Sequence, residues 1–237
     1  MLTTAYAVVL KTVKHGDRTV ILKAWTQHAG ARSYVVRIGS KKGNSAAALQ
    51  ALNRLELVVD ERDNNDLHAV RELRIAKPFT RIHAEPVRGA TALFVQEVLH
   101  RVLRMESAEP ALDAFVSETL EVLDTVPDLR CFPLVFLIQL SGHLGFFPEH
   151  PAEGEDHFDM QEGCFYPPGV LHGHTLAPPL SHAFIKLLDI DYHTMGDLSL
   201  TASTRRDLLD HLLLYFRLHV EGLGELRSPA VLREALG

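Results

Sequence analysis

Through the first third of the chain, apolar and polar positions alternate in short runs rich in Thr, Tyr and Val, and each run ends at a glycine-bearing turn. Leu2 to Lys14 closes at His15-Gly16-Asp17, Thr19 to Gln27 at His28-Ala29-Gly30, and Arg32 to Ile38 at Gly39. Such runs predict an antiparallel meander. Arg54 to Asp60 and His68 to Ala76 supply two further strands. Five short strands suit a small closed barrel of the OB type, which removes exposed sheet edges; an SH3-like barrel fits the same count, and counting strands does not separate the two.

After Lys77-Pro78 the period changes. Glu85-Pro86 fits a helix start, and Leu93, Phe94, Val98, Leu99, Val102 and Leu103 then line one side of a helix running to Met105. Glu109-Pro110 opens a second helix with its own stripe from Leu112 to Leu123. Phe132 to Leu144 is apolar on nearly every side, the pattern of a helix at the centre of a bundle. Between Pro148 and Pro179 prolines, glycines, acids and histidines replace any period, with a small hairpin predicted from Phe158-Asp159-Met160 and Gly163-Cys164-Phe165-Tyr166. Leu180 to Leu188, Ser203 to Val220 and Pro229 to Leu236 return to helical spacing, with Ser203 as the expected N-cap of the middle one. The predicted fold is therefore α+β: an N-terminal five-stranded OB-type β-barrel over residues 1–77, then a helical domain over 78–237 with an irregular insert over 148–179.

Charge divides along the same line. Met1 to Val59 holds nine Lys/Arg against two acids, a net of +7, so the remainder carries -13 of the overall -6. Such asymmetry points to a polyanion-binding module joined to a part with another task, although a Lys-rich sheet edge that resists aggregation has the same signature. Strand alternation puts Thr19, Ile21, Lys23 and Trp25 on one side of the second strand. Lys23 and Trp25, near Tyr34 and Lys11, form the mixture of cations and rings that single-stranded nucleic acid uses, while packing in the barrel core is the competing role for Trp25 and Tyr34. Gly39-Ser40-Lys41-Lys42-Gly43-Asn44 is a cationic loop, either a phosphate clamp or a solvated turn. No apolar run approaches the ~20 residues of a membrane span. No secretory signal is visible at the amino terminus, and two cysteines, Cys131 and Cys164, fit a reducing cytoplasm.

Five segments occur in order along nearly the whole chain: Ala92-Leu93-Phe94-Val95-Gln96-Glu97-Val98-Leu99-His100-Arg101-Val102-Leu103, Leu129-Arg130-Cys131-Phe132-Pro133-Leu134, Gly142-His143-Leu144-Gly145 and Leu226-Arg227-Ser228-Pro229-Ala230-Val231-Leu232, preceded by the basic barrel. The series resembles the bacterial RecO family of recombination mediators. That resemblance implies a cytoplasmic, nucleoid-associated DNA repair factor, not an enzyme, that binds single- and double-stranded DNA and anneals complementary strands. It also implies RecR as partner, recognition of the acidic C-terminal tail of single-stranded-DNA-binding protein, and, indirectly, loading of RecA. The DNA-contacting candidates it implies are Lys11, Arg18, Lys23, Arg32, Arg37, Lys41 and Lys42. Arg130 matches a family position associated with the acidic tail; with Phe132, Leu134 and Val135 it offers the cation and apolar slot that an acidic peptide with a free carboxylate needs. A surface Arg capping a helix end is the simpler role for the same residue.

Zinc-bearing relatives place two cysteine pairs in the insert, where this chain has only Cys164. His150, His157, His172 and His174 lie near it with Glu149, Asp156 and Asp159, but without CxxC spacing, so no metal or other cofactor is expected; a hydrophobic hairpin around Phe158, Phe165 and Tyr166 takes the metal's place. The same residues are the only basis for the weakest alternative, a metal-dependent hydrolase. HExxH, GxSxG, phosphate-loop and dinucleotide motifs are all missing from the sequence. A plain single-strand-binding module without mediator activity is the other alternative, and the helical domain distinguishes the two.

Overall fold

A computed structural model describes residues 2–39, 46–60, 67–103, 107–169 and 173–236. Compactness divides the chain into two units, Met1–Asp124 with Leu226–Leu232, and Thr125–Glu225 with Arg233–Gly237.

In the first unit, strands β1 (Leu2–Lys14), β2 (Thr19–Thr26), β3 (Gly30–Arg37), β4 (Arg54–Asp60) and β5 (Leu67–Lys77) close a barrel in the order β1-β2-β3-β5-β4. This is the Greek-key barrel of the OB fold, which resolves the choice against an SH3-like barrel. The long β1 makes closure possible because it pairs with β2 at one end and with β4 at the other, the register slipping between Val9 and Lys11. Inward alternation places Val9, Leu22, Ala24, Tyr34, Val36, Leu55, Leu57 and Val59 in one core.

Helices α1 (Pro86–Val102) and α2 (Pro110–Thr125) belong to the same unit. Pro86 sits in the first turn of α1, where its missing N–H costs no bond. The connection into α1 is pinned by Asp124 near the end of α2. Its Oδ1 accepts from the main-chain N–H of Arg81 (2.8 Å) and Ile82 (2.9 Å), and its Oδ2 from the N–H (3.0 Å) and hydroxyl (2.9 Å) of Thr80. Burial alone would raise this carboxyl, but those bonds outweigh it and hold it at about 2. Beside it the buried Arg88 donates to Glu85 (2.8 Å) and to the Leu123 carbonyl (2.6 Å).

The second unit is built on α3 (Phe132–His143), with α4 (Leu180–Leu188) and α5 (Ala202–His219) packed on it. The all-round apolar pattern of α3 is matched by burial of every residue from Phe132 to Ile138. Strand β6 (His157–Asp159) pairs with β7 (Cys164–Tyr166), the expected hairpin, and on its other side with β8 (Thr175–Leu176), a third strand its two-residue length hid. The hairpin is fixed by rings: Phe158 lies 4.9 Å from Phe165, 4.8 Å from Phe184 and 5.6 Å from Tyr215. Helix α5 begins earlier than expected. Thr201, not Ser203, is its N-cap and accepts from the Thr204 N–H at 3.1 Å, because Thr201 keeps the extended backbone that a cap requires. The last helix, α6 (Ser228–Leu236), is divided between the two units.

Candidate nucleic-acid interface

The outer surface of β1, β2 and β3 carries most of the expected contact residues. Lys11 on β1 and Lys23 on β2 are direct antiparallel partners, and Lys23 is in turn opposite Ser33 on β3. The Lys23 ammonium is half-buried and donates to the Ser33 hydroxyl at 2.6 Å, while Lys11 is exposed. Arg32 has the strand parity of the inward Tyr34 but lies near the strand end and is exposed. Arg18 and Arg37, both exposed, meet at the other end of β2 and β3, where Thr19 pairs with Arg37 and the Ile38 N–H donates to the Arg18 carbonyl at 2.8 Å. Lys41 and Lys42 lie outside the described residues.

The barrel's cations fall into two sets. Those on β4 and β5 are matched: Arg54 pairs with Glu121 and stacks 5.3 Å over Phe79, Lys77 reaches Glu121 at 2.6 Å, Arg71 meets Asp60 at 2.6 Å and Arg74 meets Glu56 at 2.5 Å. Lys11, Lys14, Arg18, Lys23 and Arg32 hold no carboxylate among the described residues. Two lysines directly opposite each other on a sheet destabilise it, so the arrangement is not explained by folding.

Between the Lys11–Lys23 pair and the Arg18–Arg37 end runs an aliphatic row, Val13, Ile21, Val35 and Ala69, each the register partner of the next. Val13 is 41% exposed. The expected mixture of cations and rings is not present on this face. Tyr34 belongs to the barrel core and Trp25, though of outward parity, is fully buried, so neither ring is available for stacking on a base. Parity fixes the side of a sheet on which a residue emerges, not whether other elements cover it.

The second unit contains a separate basic cavity of about 390 Å³. Cys131, Tyr192, Met195 and Leu198 form its apolar lining and Asp128, Arg130 and Arg205 its charged part. Arg130, the residue expected at an acidic-tail site, is therefore at a pocket. Phe132, Leu134 and Val135 are not in its lining; they are buried in the core of α3, since a helix apolar on every side gives its whole circumference to packing. The walls come instead from the segment before α5 and from Arg205 in its first turn, residues that no local pattern linked to Arg130. The Arg130 guanidinium grips Asp128 with Nε 2.8 and 3.0 Å from its two oxygens and Nη2 2.6 Å from Oδ2, which holds the Asp128 carboxyl below its ordinary range. Arg205 is half-buried and donates from Nη1 to the Leu200 carbonyl at 2.8 Å.

The insert's possible ligands do not converge among the described residues. His150 pairs with Asp189 (3.1 Å), His157 with Asp156 (2.6 Å), and Asp159 accepts from the N–H groups of Gln161 (2.8 Å) and Glu162 (3.2 Å). His172 lies outside the described residues, and among those described no three His, Cys, Asp or Glu side chains gather into a metal-binding group. Cys164 and His174 join no such group among the described residues.

A closed Greek-key barrel with a cationic outer sheet, leading into a helical unit, is the build of an OB-fold protein. The N-terminal model of the recombination protein O family matches residues 1–79, and its C-terminal model residues 83–229. Curated proteins called DNA repair protein RecO are similar end to end. That of Bacteroides fragilis is 31% identical over 239 residues, covering 99% of each chain; that of Porphyromonas gingivalis is 30% identical over 241 residues, 98% of each; and that of Flavobacterium psychrophilum is 29% identical over 231 residues, 96% of each. The chain belongs to the RecO family.

Proposed function

We propose that this protein is a DNA repair and recombination mediator that works by binding rather than by covalent chemistry. Its barrel, residues 1–77, holds single- and double-stranded DNA through Lys11, Arg18, Lys23, Arg32, Arg37, Lys41 and Lys42, and complementary strands anneal on it. The single observation that carries this reading is the Lys11–Lys23 pair, two like charges kept in direct register with no carboxylate paired to either among the described residues. A phosphate placed over the pair removes the repulsion and converts a cost in the free protein into attraction in the complex. The neighbouring aliphatic row supplies contact without gripping a base, which leaves Watson–Crick edges open for pairing with a second strand.

The helical part docks the acidic tail of single-stranded-DNA-binding protein in the Arg130–Arg205 cavity, where a terminal carboxylate meets guanidinium groups and an apolar side chain meets Tyr192, Met195 and Leu198. RecR is the second protein partner, and RecA is served indirectly when coated strands are remodelled. Labelled single-stranded DNA titrated over a salt series, with and without an acidic tail peptide, tests both halves together. The expected result is steep salt dependence with little sequence preference, and peptide binding that survives loss of the barrel cations. Salt-independent DNA binding would refute the barrel reading.

A further inference from the structure

One edge of the Arg130 guanidinium, Nε and Nη2, is already taken by a carboxylate. Asp128 takes both Nε and Nη2, and its Oδ1 also accepts the Arg130 main-chain N–H at 2.9 Å. The two side chains are 64% and 49% exposed, so this pair is weak and exchangeable rather than a buried lock. Arg205 differs on each point. It is half-buried, anchored by one N–H to the Leu200 carbonyl, and holds no direct carboxylate among the described residues. Its place in the first turn of α5 is set by the Thr201 cap. A guanidinium held in place with no carboxylate of its own loses little freedom on binding, whereas the charge of Arg130 is already shared with Asp128.

Resting on the tail-docking reading above, we propose that Asp128 is a built-in rival for the docking carboxylate and that Arg205, not Arg130, is its primary anchor. An incoming carboxylate binds Arg205 and then displaces Asp128 from the Arg130 side chain, while Asp128 keeps its bond to the Arg130 main chain. Asp128 sets how much negative charge a ligand must bring, because a neutral group does not displace a carboxylate from Arg130.

The test is a binding measurement on the full-length protein with a fluorescein-labelled acidic peptide that ends in phenylalanine with a free carboxylate, and with its C-terminal amide. Asp128→Asn keeps the oxygen that accepts the main-chain N–H but removes the rival charge, and tightens binding about fivefold, the factor matching one unit charge removed at about 4 Å in water. Arg205→Gln weakens binding about tenfold, both in the parent and when combined with Asp128→Asn. Arg130→Gln alone exposes an unpaired Asp128 to the peptide and weakens binding more than Arg130→Gln added to Asp128→Asn, a non-additivity that a merely structural role would not give. The melting temperature of each variant separates lost folding from lost binding. If the parent binds the free-carboxylate peptide but Asp128→Asn binds equally or less well, the rival role is wrong and the docking reading stands. If neither the parent nor Asp128→Asn binds at low salt, the docking reading fails and takes this inference with it.

Discussion

Replacing Lys11 and Lys23 by Gln tests the proposed DNA face most directly, because the proposal gives the change opposite effects on binding and on stability. Each phosphate contact to a single strand contributes about 0.7 to the slope of log affinity against log salt, which at 0.1 M salt is about a fivefold gain per contact. With the five described candidates engaged, Lys11, Arg18, Lys23, Arg32 and Arg37, the slope is about -3.5. Lys11→Gln with Lys23→Gln lowers it in magnitude by about 1.4 and weakens binding about 25-fold at 0.1 M salt, less at higher salt. Folding moves the other way. The direct like-charge pair disappears while the outer sheet keeps its aliphatic neighbours, so stability rises by a few tenths of a kcal/mol. The assays are fluorescence anisotropy with labelled single-stranded DNA across a salt series, and urea unfolding of the same two proteins. An unchanged slope, or a loss of affinity accompanied by a loss of stability, would refute the reasoning.

Other consequences follow from single sites. Asp124→Asn places an amide against backbone N–H donors and removes the acid-dependent part of stability: the parent's depressed carboxyl contributes about 2.5 kcal/mol above pH 4, lost as pH falls through about 2, so the urea-midpoint gap between the two proteins narrows across that window. Trp25→Phe costs about 1–2 kcal/mol, because the smaller ring loses packing while the indole N–H it removes has no partner among the described residues, and leaves DNA affinity unchanged; in the parent, DNA titration leaves the emission of this one Trp unaltered. Gly163→Ala puts a Cβ at φ +75°, 3.0 Å from the Tyr215 hydroxyl, and lowers the melting temperature more than Gly154→Ala, which has the same kind of backbone in open space.

How far the sequence carried depended on whether a signal was local. Alternation of period two and glycine-bearing turns are local, and all five barrel strands lie within two residues of their expected ends. The apolar stripes of α1 and α2 and the N-terminal prolines behaved the same way. Signals that depend on what lies opposite failed. Lys23 and Trp25 share a parity, yet one reaches solvent and the other is fully buried. Phe132, Leu134 and Val135 adjoin Arg130 in sequence and were expected beside it in the slot, but a helix packed on all sides leaves no face for a ligand, and the lining came from Tyr192, Met195, Leu198 and Arg205 instead. Ser203 and Thr201 are both good caps, and only the backbone at residue 201 decided between them.

The charge count has a similar limit. A net of +7 over the first 59 residues gives a sign and no geometry, and it includes Arg54, which is committed to Glu121 and Phe79 and whose loss would be a stability defect. Pairing sorts the cations better than number does. Where strands β4 and β5 place arginine and lysine, acids stand within ion-pair reach; among the described residues, Lys11, Lys14, Lys23 and Arg32 on β1, β2 and β3 hold no carboxylate. Arg54→Gln therefore separates the two sets: it lowers the unfolding midpoint and leaves the salt slope of DNA binding unchanged, the reverse of the Lys11 and Lys23 pair. Should Arg54→Gln instead flatten the slope in a folded protein, the interface would extend across β4, and the division of the barrel into a bracing side and a binding side would be wrong.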